Sequence, residues 1–541
     1  MPIKTRYPST VVLLAILGLA LVLVGVPGHA ATVDDAITAL DAKSFAAKAK
    51  AIDRLEAIGD PHALPALQAM LDGVLFRHKE TSRIVVGRAQ DGVYAITDVL
   101  TGEALGEVKK RRLKKISINN RLRNRLGLTI ASLGLTATDA RDRSAAALNL
   151  IKGGDSGMLA AVDRALAVET DAEVKADLRM ARNAIQAKAG GKAERVAAIR
   201  ALDGILNQDV LSILGTLVQP GSGQDEDIRL VATEVLDSTR AKGRVFAGLE
   251  TIFFGVSLGS VLLLAAVGLA ITFGVMGVIN MAHGEMIMLG AYTTYVVQQA
   301  VPNAIEVSLL IAVPAAFLVS GTVGVVIERG VIRFLYGRPL ETLLATFGIS
   351  LILQQAVRSI FSPLNRSVIT PEWMSGAWEI NSALSLTYNR LSIILFTLVL
   401  LAAIAALMRY TSFGLQMRAV TQNRQMASAM GIRTHWVDAL TFGFGSGIAG
   451  IAGVALSQLT NVGPNLGQQY IVDSFMVVVF GGVGNLWGTA LGAMTLGVAN
   501  KLLEPWSGAV LGKILILVLI ILFIQKRPSG MFAIKGRAAE S

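Results

Sequence analysis

The 541-residue chain contains no cysteine, so it forms neither a disulfide framework nor a thiolate metal site. Its five histidines, His29, His62, His78, His283 and His435, are scattered, with no His-Glu-x-x-His run to hold a catalytic zinc. Charge is also sparse. Asp, Glu, Lys and Arg make up 16% of the residues, against about 25% in ordinary soluble proteins. A phosphate loop of the form G-x-x-x-x-G-K-[ST] is missing: Gly191-Lys192 and Gly512-Lys513 lack both the following Ser or Thr and the earlier Gly. The chain is therefore not expected to hydrolyse ATP by that route, and no metal or cofactor is expected in it.

What is present is apolar and unevenly distributed. Hydrophobic residues make up 53% of the chain, with a mean hydropathy of +0.56. Residues 31–250 are rich in Ala and in charged side chains, whereas from Thr251 onward one apolar block follows another. A bilayer core of about 30 Å needs helices of about 20 residues, and these blocks have that length. Candidate spans fall near 252–275, 277–300, 306–327, 342–361, 391–408, 437–460 and 510–525, with a Gly-interrupted stretch at 471–504. The fold expected is an all-α polytopic membrane bundle of about eight segments, one of them broken at Gly481–Asn485. The net charge of +11 then reads as basic loops rather than as a nucleic-acid surface.

The first thirty residues have the form of an export signal. Lys4 and Arg6 precede an apolar core at Val11–Val26, and Gly28 and Ala30 stand at the small-residue positions before Ala31. Residues 31–250 are expected to be exported (periplasmic) and mainly helical. "AIDRLEAIGDPHALPALQAML" at Ala51–Leu71, Arg143–Ile185 and Arg195–Val218 each pair amphipathic helices across a Gly, Asp or Asn turn, in the manner of HEAT-type hairpins. Between the first two, the alternating stretch "VLFRHKETSRIVVGRAQDGVYAITDVLTGEAL" turns at Gln90-Asp91-Gly92 and at Thr101-Gly102, which predicts a small β insertion. The basic run Lys109–Arg125 follows; anionic lipid, a partner or plain solvation would each account for it.

Orientation follows from the loops. Arg329, Arg333 and Arg338 share one connection, four arginines occupy Arg409–Ile432, and Lys526, Arg527, Lys535 and Arg537 lie in the tail. The positive-inside rule makes these cytoplasmic and places residue 250 outside, as the export signal does. The division expected is thus 1–30 signal, 31–250 exported domain, 251–528 membrane domain and 529–541 cytoplasmic tail. "GFGSGIAGIAG" at Gly443–Gly453 contains a formal G-x-G-x-x-G, but inside a span such spacing serves close helix packing.

"RYTSFGLQMRAVTQNRQMASAMGI" at Arg409–Ile432 reads as a capped helix with Met417, Val420, Ala427 and Met430 on one side. Periodicity leaves two roles open: an apolar face for a groove in a soluble partner, or a loop resting on lipid headgroups. The segment resembles the cytoplasmic coupling helix of ABC-importer permeases of the branched-chain amino-acid type, matching at Arg409-Tyr410, Gly414, Arg418-Ala419, Ala427 and Gly431-Ile432. The likeness extends to Gly268–Tyr292, Tyr336–Gln354, Gly481–Ala493 and the terminal "RPSGMF" at Arg527–Phe532, so it covers about 250–532. The long N-terminal extension, and Asp473 before the glycine run, are similar to the urea-transport branch of that family. The resemblance implies a multi-pass protein of a bacterial inner membrane and not an enzyme. Its partners would be a second permease subunit, two cytoplasmic ATPase subunits binding ATP and Mg, and an exported solute-binding protein. It implies that Arg418, Ala419, Ala427, Gly431 and Ile432 meet the ATPase, together with the loop at Arg338.

Polar residues at membrane depth are the candidates for a solute pathway: Asn280, His283, Glu285, Gln354, Gln355, Asp473 and Asn485. Such residues are costly in hydrocarbon and usually face a pathway or one another. A hydrogen-bonded brace around Gly284 is the structural alternative for Asn280, His283 and Glu285. No Lys or Arg is evident deep in a span, which favours a neutral solute such as urea over a zwitterionic amino acid.

Overall fold

The structure, a computed structural model, describes residues 33–90, 93–219, 225–381 and 383–532. The export signal at 1–30, the turn residues Asp91-Gly92 and most of the tail at 529–541 lie outside the described residues. Internal contacts divide the chain into two units, at Ala241 and Lys242.

In the first unit, helices begin where a short polar side chain can accept a free N–H. Ser44 caps Phe45–Ile58, Asn119 caps Asn120–Gly134, Asp171 caps Ala172–Ala189 and Asn207 caps Gln208–Val218. The stretch Arg143–Ile185, expected as one hairpin, contains three helices: Ala140–Gly153, Leu159–Val168 and Ala172–Ala189. Their apolar faces meet in a core that includes Leu150, Ile151, Val162, Leu178 and Ile185. A second core holds Leu40, Ile52, Leu67, Met70 and Leu126. The β insertion is an antiparallel sheet of β1 (Leu75–His78), β2 (Ile84–Gln90), β3 (Val93–Asp98), β4 (Ala104–Val108) and β5 (Leu113–Lys115), in the order β4-β3-β2-β1-β5. Lys114 and Lys115 of the basic run therefore sit exposed on an edge strand, where lysine discourages pairing with another chain.

In the second unit, six helices among the described residues are long and apolar enough to cross a membrane: Glu226–Met276, Ile305–Phe334, Pro339–Phe361, Tyr388–Tyr410, Thr434–Ser457 and Leu486–Lys526. Two further apolar segments differ from the spans expected. The stretch 277–300 is helical only over His283–Ala300, because Gly277 adopts φ +68 and the chain runs without helix to Ala282. Leu466–Gly481 has only 16 residues and stops at Gly482, φ +106. Pro505 and Gly508 (φ +74) interrupt Leu486–Lys526, separating the part that follows the glycine turn from the last apolar run.

The Thr434–Ser457 helix is buried along most of its length, and its glycines let neighbouring helices approach, among them Ile305–Gly330 and His283–Ala300. A Cβ on Gly447 would meet Phe317, one on Gly450 would meet Ser320, and one on Gly453 would meet backbone atoms of Ile287 and Ala291. The formal dinucleotide pattern is thus a packing surface. At the chain's other glycine cluster, the Met531 N–H donates to the Phe480 carbonyl at 2.9 Å, so the "RPSGMF" segment folds back onto the Gly481–Asn485 turn.

Candidate functional site

Two groups of side chains stand out in the second unit. The first lies where the helix breaks at 277–282. Asn280 folds its Oδ1 onto the Ala282 N–H at 3.0 Å, and His283 Nε2 donates to the Ala265 carbonyl at 2.8 Å. That carbonyl can only accept, so Nε2 carries the proton and Nδ1 points into the interior as an acceptor. Glu285, in the first turn of His283–Ala300, accepts through Oε1 from Ser350 Oγ at 2.9 Å and from Gln354 Nε2 at 2.8 Å. Asn280 Nδ2, His283 Nδ1 and Glu285 Oε2 are buried and have no hydrogen-bond partner among the described residues. Buried polar atoms seldom stay unpaired, so this group is built with unused capacity for donors and acceptors.

The residues that bond Glu285 and the Met281 N–H come from a single ridge. Thr342, Thr346, Ser350 and Gln354 recur every four positions along Pro339–Phe361 and are all buried. Thr346 Oγ1 accepts from the Met281 N–H at 3.1 Å, which ties this ridge to the broken segment. Thr346 and Ser350 were not singled out from the sequence, although their fourfold spacing within "PLETLLATFGISLILQQ" was the available signal.

The structure thus joins Glu285 directly to Gln354, with Asn280 and His283 at the same helix start. Gln355 turns the other way and is exposed. Asp473 lies apart from these contacts, ion-paired at 2.9 Å with Lys513, a cation in the last apolar run that the sequence reading passed over as a span residue. Asn485 caps Leu486–Lys526 by accepting from the Gly488 N–H at 3.1 Å, which occupies its side-chain oxygen.

The second group is the segment Arg409–Ile432. It is two helices, not one. Thr411 caps Ser412–Gln422, Asn423 leaves the helical region at φ −153, and its Oδ1 caps Arg424–Ala429 through the Met426 N–H at 2.9 Å. Gly431, φ +88, closes the second helix: its N–H reaches the Ser428 carbonyl at 3.0 Å and the Ile432 N–H reaches the Ala427 carbonyl at 3.1 Å. This double bond pattern is the Schellman stop.

The apolar face expected to meet a soluble partner points the other way. Met417, Val420 and Ala427 are buried in the same core as Ile404, Val437 and Ile448, and only Met430, 78% exposed, faces out. Periodicity shows that a face exists, not which body covers it, and Met430 stands at the C-cap, where Arg424–Ala429 ends. The outward surface instead carries Leu415, Arg418, Gln422, Gln425 and Met426, while Ala419 and Ile432 are half-buried. The pair of helices is anchored by Arg424, which binds the buried Asp438 carboxylate and stands 4.3 Å above the Tyr336 ring. Arg338, two residues beyond Tyr336, is exposed and pairs with Glu341 at 3.1 Å.

A family model described as branched-chain amino acid transport system, permease component, matches residues 251–524. The high-affinity branched-chain amino acid transport system permease protein LivH of Salmonella typhimurium is 31% identical over 293 residues, covering 52% of this chain and 94% of that protein. The corresponding BraD of Pseudomonas aeruginosa is 27% identical over 296 residues, 53% of this chain and 96% of that protein. The ribose import permease protein RbsC of Escherichia coli is 26% identical over 267 residues, 47% of this chain and 78% of that protein. No solved structure matches the chain.

Proposed function

The chain belongs to the branched-chain amino acid transport permease family, and from that premise we propose that it is the membrane permease of an ATP-driven importer whose solute is urea. The observation that carries the solute is the group around Glu285. It offers an acceptor at Glu285 Oε2 and a donor at Asn280 Nδ2, both buried and unpartnered among the described residues. Urea presents N–H donors on both nitrogens and one carbonyl acceptor, which suits that combination. A zwitterionic amino acid would call for a cation or a free helix N-terminus opposite its carboxylate, and at the start of His283–Ala300 the acidic Glu285 occupies the first turn. Of the nearby cations, Lys513 is ion-paired with Asp473, and Arg358, one turn beyond Gln354, is directed to Asn465 by a hydrogen bond at 2.7 Å.

In this reading Asn280, His283, Glu285 and Gln354 line the pathway, and Gln355, Asp473 and Asn485 lie outside it. ATPase subunits on the cytoplasmic side would bear on the outward surface of Ser412–Ala429 near Arg418 and on the loop at Arg338. A second permease chain would complete the pathway, and an exported solute-binding protein would deliver urea. The first unit, exported and HEAT-like, would dock that protein or the sister subunit. The identity to LivH favours a second reading, in which the solute is a branched-chain amino acid.

The test is uptake of labelled urea and labelled leucine at micromolar concentration, in cells with and without this chain and with and without its partner ATPase. Urea uptake lost alone, and lost equally without the ATPase, is expected. Loss of leucine uptake alone would replace the solute, and urea entry that persists without the ATPase would replace the importer with a channel.

A further inference from the structure

A groove of about 430 Å³ runs along the outside of the second unit between Ile305–Gly330 and Thr434–Ser457. Its walls include Phe317, Gly321 and Val325 from the first helix, Gly443 and Phe444 from the second, and Phe413 from the first turn of Ser412–Gln422. Gly321 and Gly443 form its floor, where the two helices meet closely enough that a Cβ on Gly443 would run into Val325, and the lining is apolar except for Thr322. From Phe317 to Val325 the helix rises about 12 Å, and Arg329 lies about 6 Å further on. The whole is close to the depth of one leaflet, about 15 Å of hydrocarbon.

The end of the groove is marked by interfacial chemistry. Arg329 stands 4.2 Å over the Trp436 ring, one turn beyond Val325 and Leu440 respectively. Arg333 and Arg433 follow beyond the ends of the two helices; both are exposed and neither forms a salt bridge among the described residues, the buried Glu328 pairing with Arg329 and acting on Arg333 only at longer range. Tryptophan and arginine at this position are what a headgroup layer selects. The lip of the groove, at Leu318, is 64% exposed, so it opens on the surface that lipid would cover.

We propose that this groove is a binding site for one anionic phospholipid, with an acyl chain between the two helices and its phosphate on Arg333 and Arg433. The site touches the transport machinery through a row of rings. Phe317 meets Phe444 edge-on at 6.0 Å, and Phe444 meets Phe413 edge-on at 6.1 Å. Phe413 opens the helix that carries Arg418, so occupancy of the groove steadies the position of that helix. The proposal requires only that these helices span the membrane and is independent of the solute.

Native mass spectrometry of the full chain, purified with phosphatidylglycerol or phosphatidylcholine, tests it. Retention of one phosphatidylglycerol per chain, at least tenfold preferred over phosphatidylcholine, is expected. Thr322→Trp, which fills the groove from its exposed rim, should remove that lipid, and Leu310→Trp on the same helix outside the groove should not. Arg333→Glu combined with Arg433→Glu should abolish the headgroup preference. Unchanged retention in Thr322→Trp would overturn the site, as would a change in oligomer mass with no change in lipid, because the groove would then be covered by a second copy. Equal retention of the two lipids by the parent chain would overturn the anionic headgroup.

Discussion

At Gly431 one backbone angle decides whether the outward helices keep their shape. At φ +88 an L side chain is disfavoured, although a Cβ there would meet nothing within 4 Å. The penalty of Gly431→Ala is therefore conformational and about 1 kcal/mol. It should lower the unfolding midpoint slightly and leave uptake nearly intact. Gly431→Pro removes the N–H that reaches Ser428 and imposes φ near −65°. It should abolish uptake with the protein still in the membrane; undiminished uptake would sink the coupling role. Glu285 makes the opposite kind of prediction. Glu285→Gln preserves volume but replaces an acceptor oxygen with an NH₂, so one of the contacts to Ser350, Gln354 or solute is lost. An unsatisfied buried polar group costs about 1–3 kcal/mol, and tenfold in rate corresponds to about 1.4 kcal/mol. Urea uptake should fall about tenfold at unchanged membrane level. If stability drops and uptake does not, the group is a brace rather than a pathway.

Among the elements, the Pro339–Phe361 helix shows how an apolar span carries a polar ridge. Side chains four apart lie above one another, so Thr342, Thr346, Ser350 and Gln354 present one line to the broken segment while Leu344, Leu351 and Ile352 are exposed on another side. That ridge was legible in the sequence as a spacing, but its meaning depends on what faces it, and only the packing supplies Met281 and Glu285. The outward helices illustrate the same limit. Thr411 as cap and Gly431 as stop follow from local chemistry. The break at Asn423, where a side chain caps a new helix, and the salt link from Arg424 to Asp438 join residues whose proximity no local rule predicts.

Across the whole molecule, the two units rest on different physics. The first is held by water-driven burial and by ionic contacts such as Arg143 with Glu169, at 2.7 and 3.0 Å. The Arg143 guanidinium, followed by the Asp171 and Thr170 N–H groups, holds the Glu169 carboxyl down to about 2, from an ordinary 4.5. A lowered folded-state value means that the contribution is complete above about pH 4.5 and is lost as the pH falls towards about 2. Thermal unfolding of the first unit, followed in the full chain between pH 6 and pH 2.5, should show a loss of midpoint that Arg143→Leu diminishes. An identical pH dependence in that variant would remove Glu169 from the account. The second unit is held by close helix contact at glycine, as around Thr434–Ser457, because apolar side chains gain little from leaving lipid for protein.

The sequence by itself determined the apolar runs, the glycine break at Gly481–Asn485, the small sheet and the absence of any thiol, because these depend on composition and on neighbours a few residues apart. The motifs from Gly268 to Phe532 also identified the family that residues 251–524 match. The tertiary structure decided which polar residues meet, placing Glu285 on Gln354 and Ser350, Lys513 on Asp473, and Asn485 on its own helix. It also decided that Met417, Val420 and Ala427 face inward. Those outcomes turn on how separate helices rotate against one another. A helical period fixes each helix's faces but not its partners.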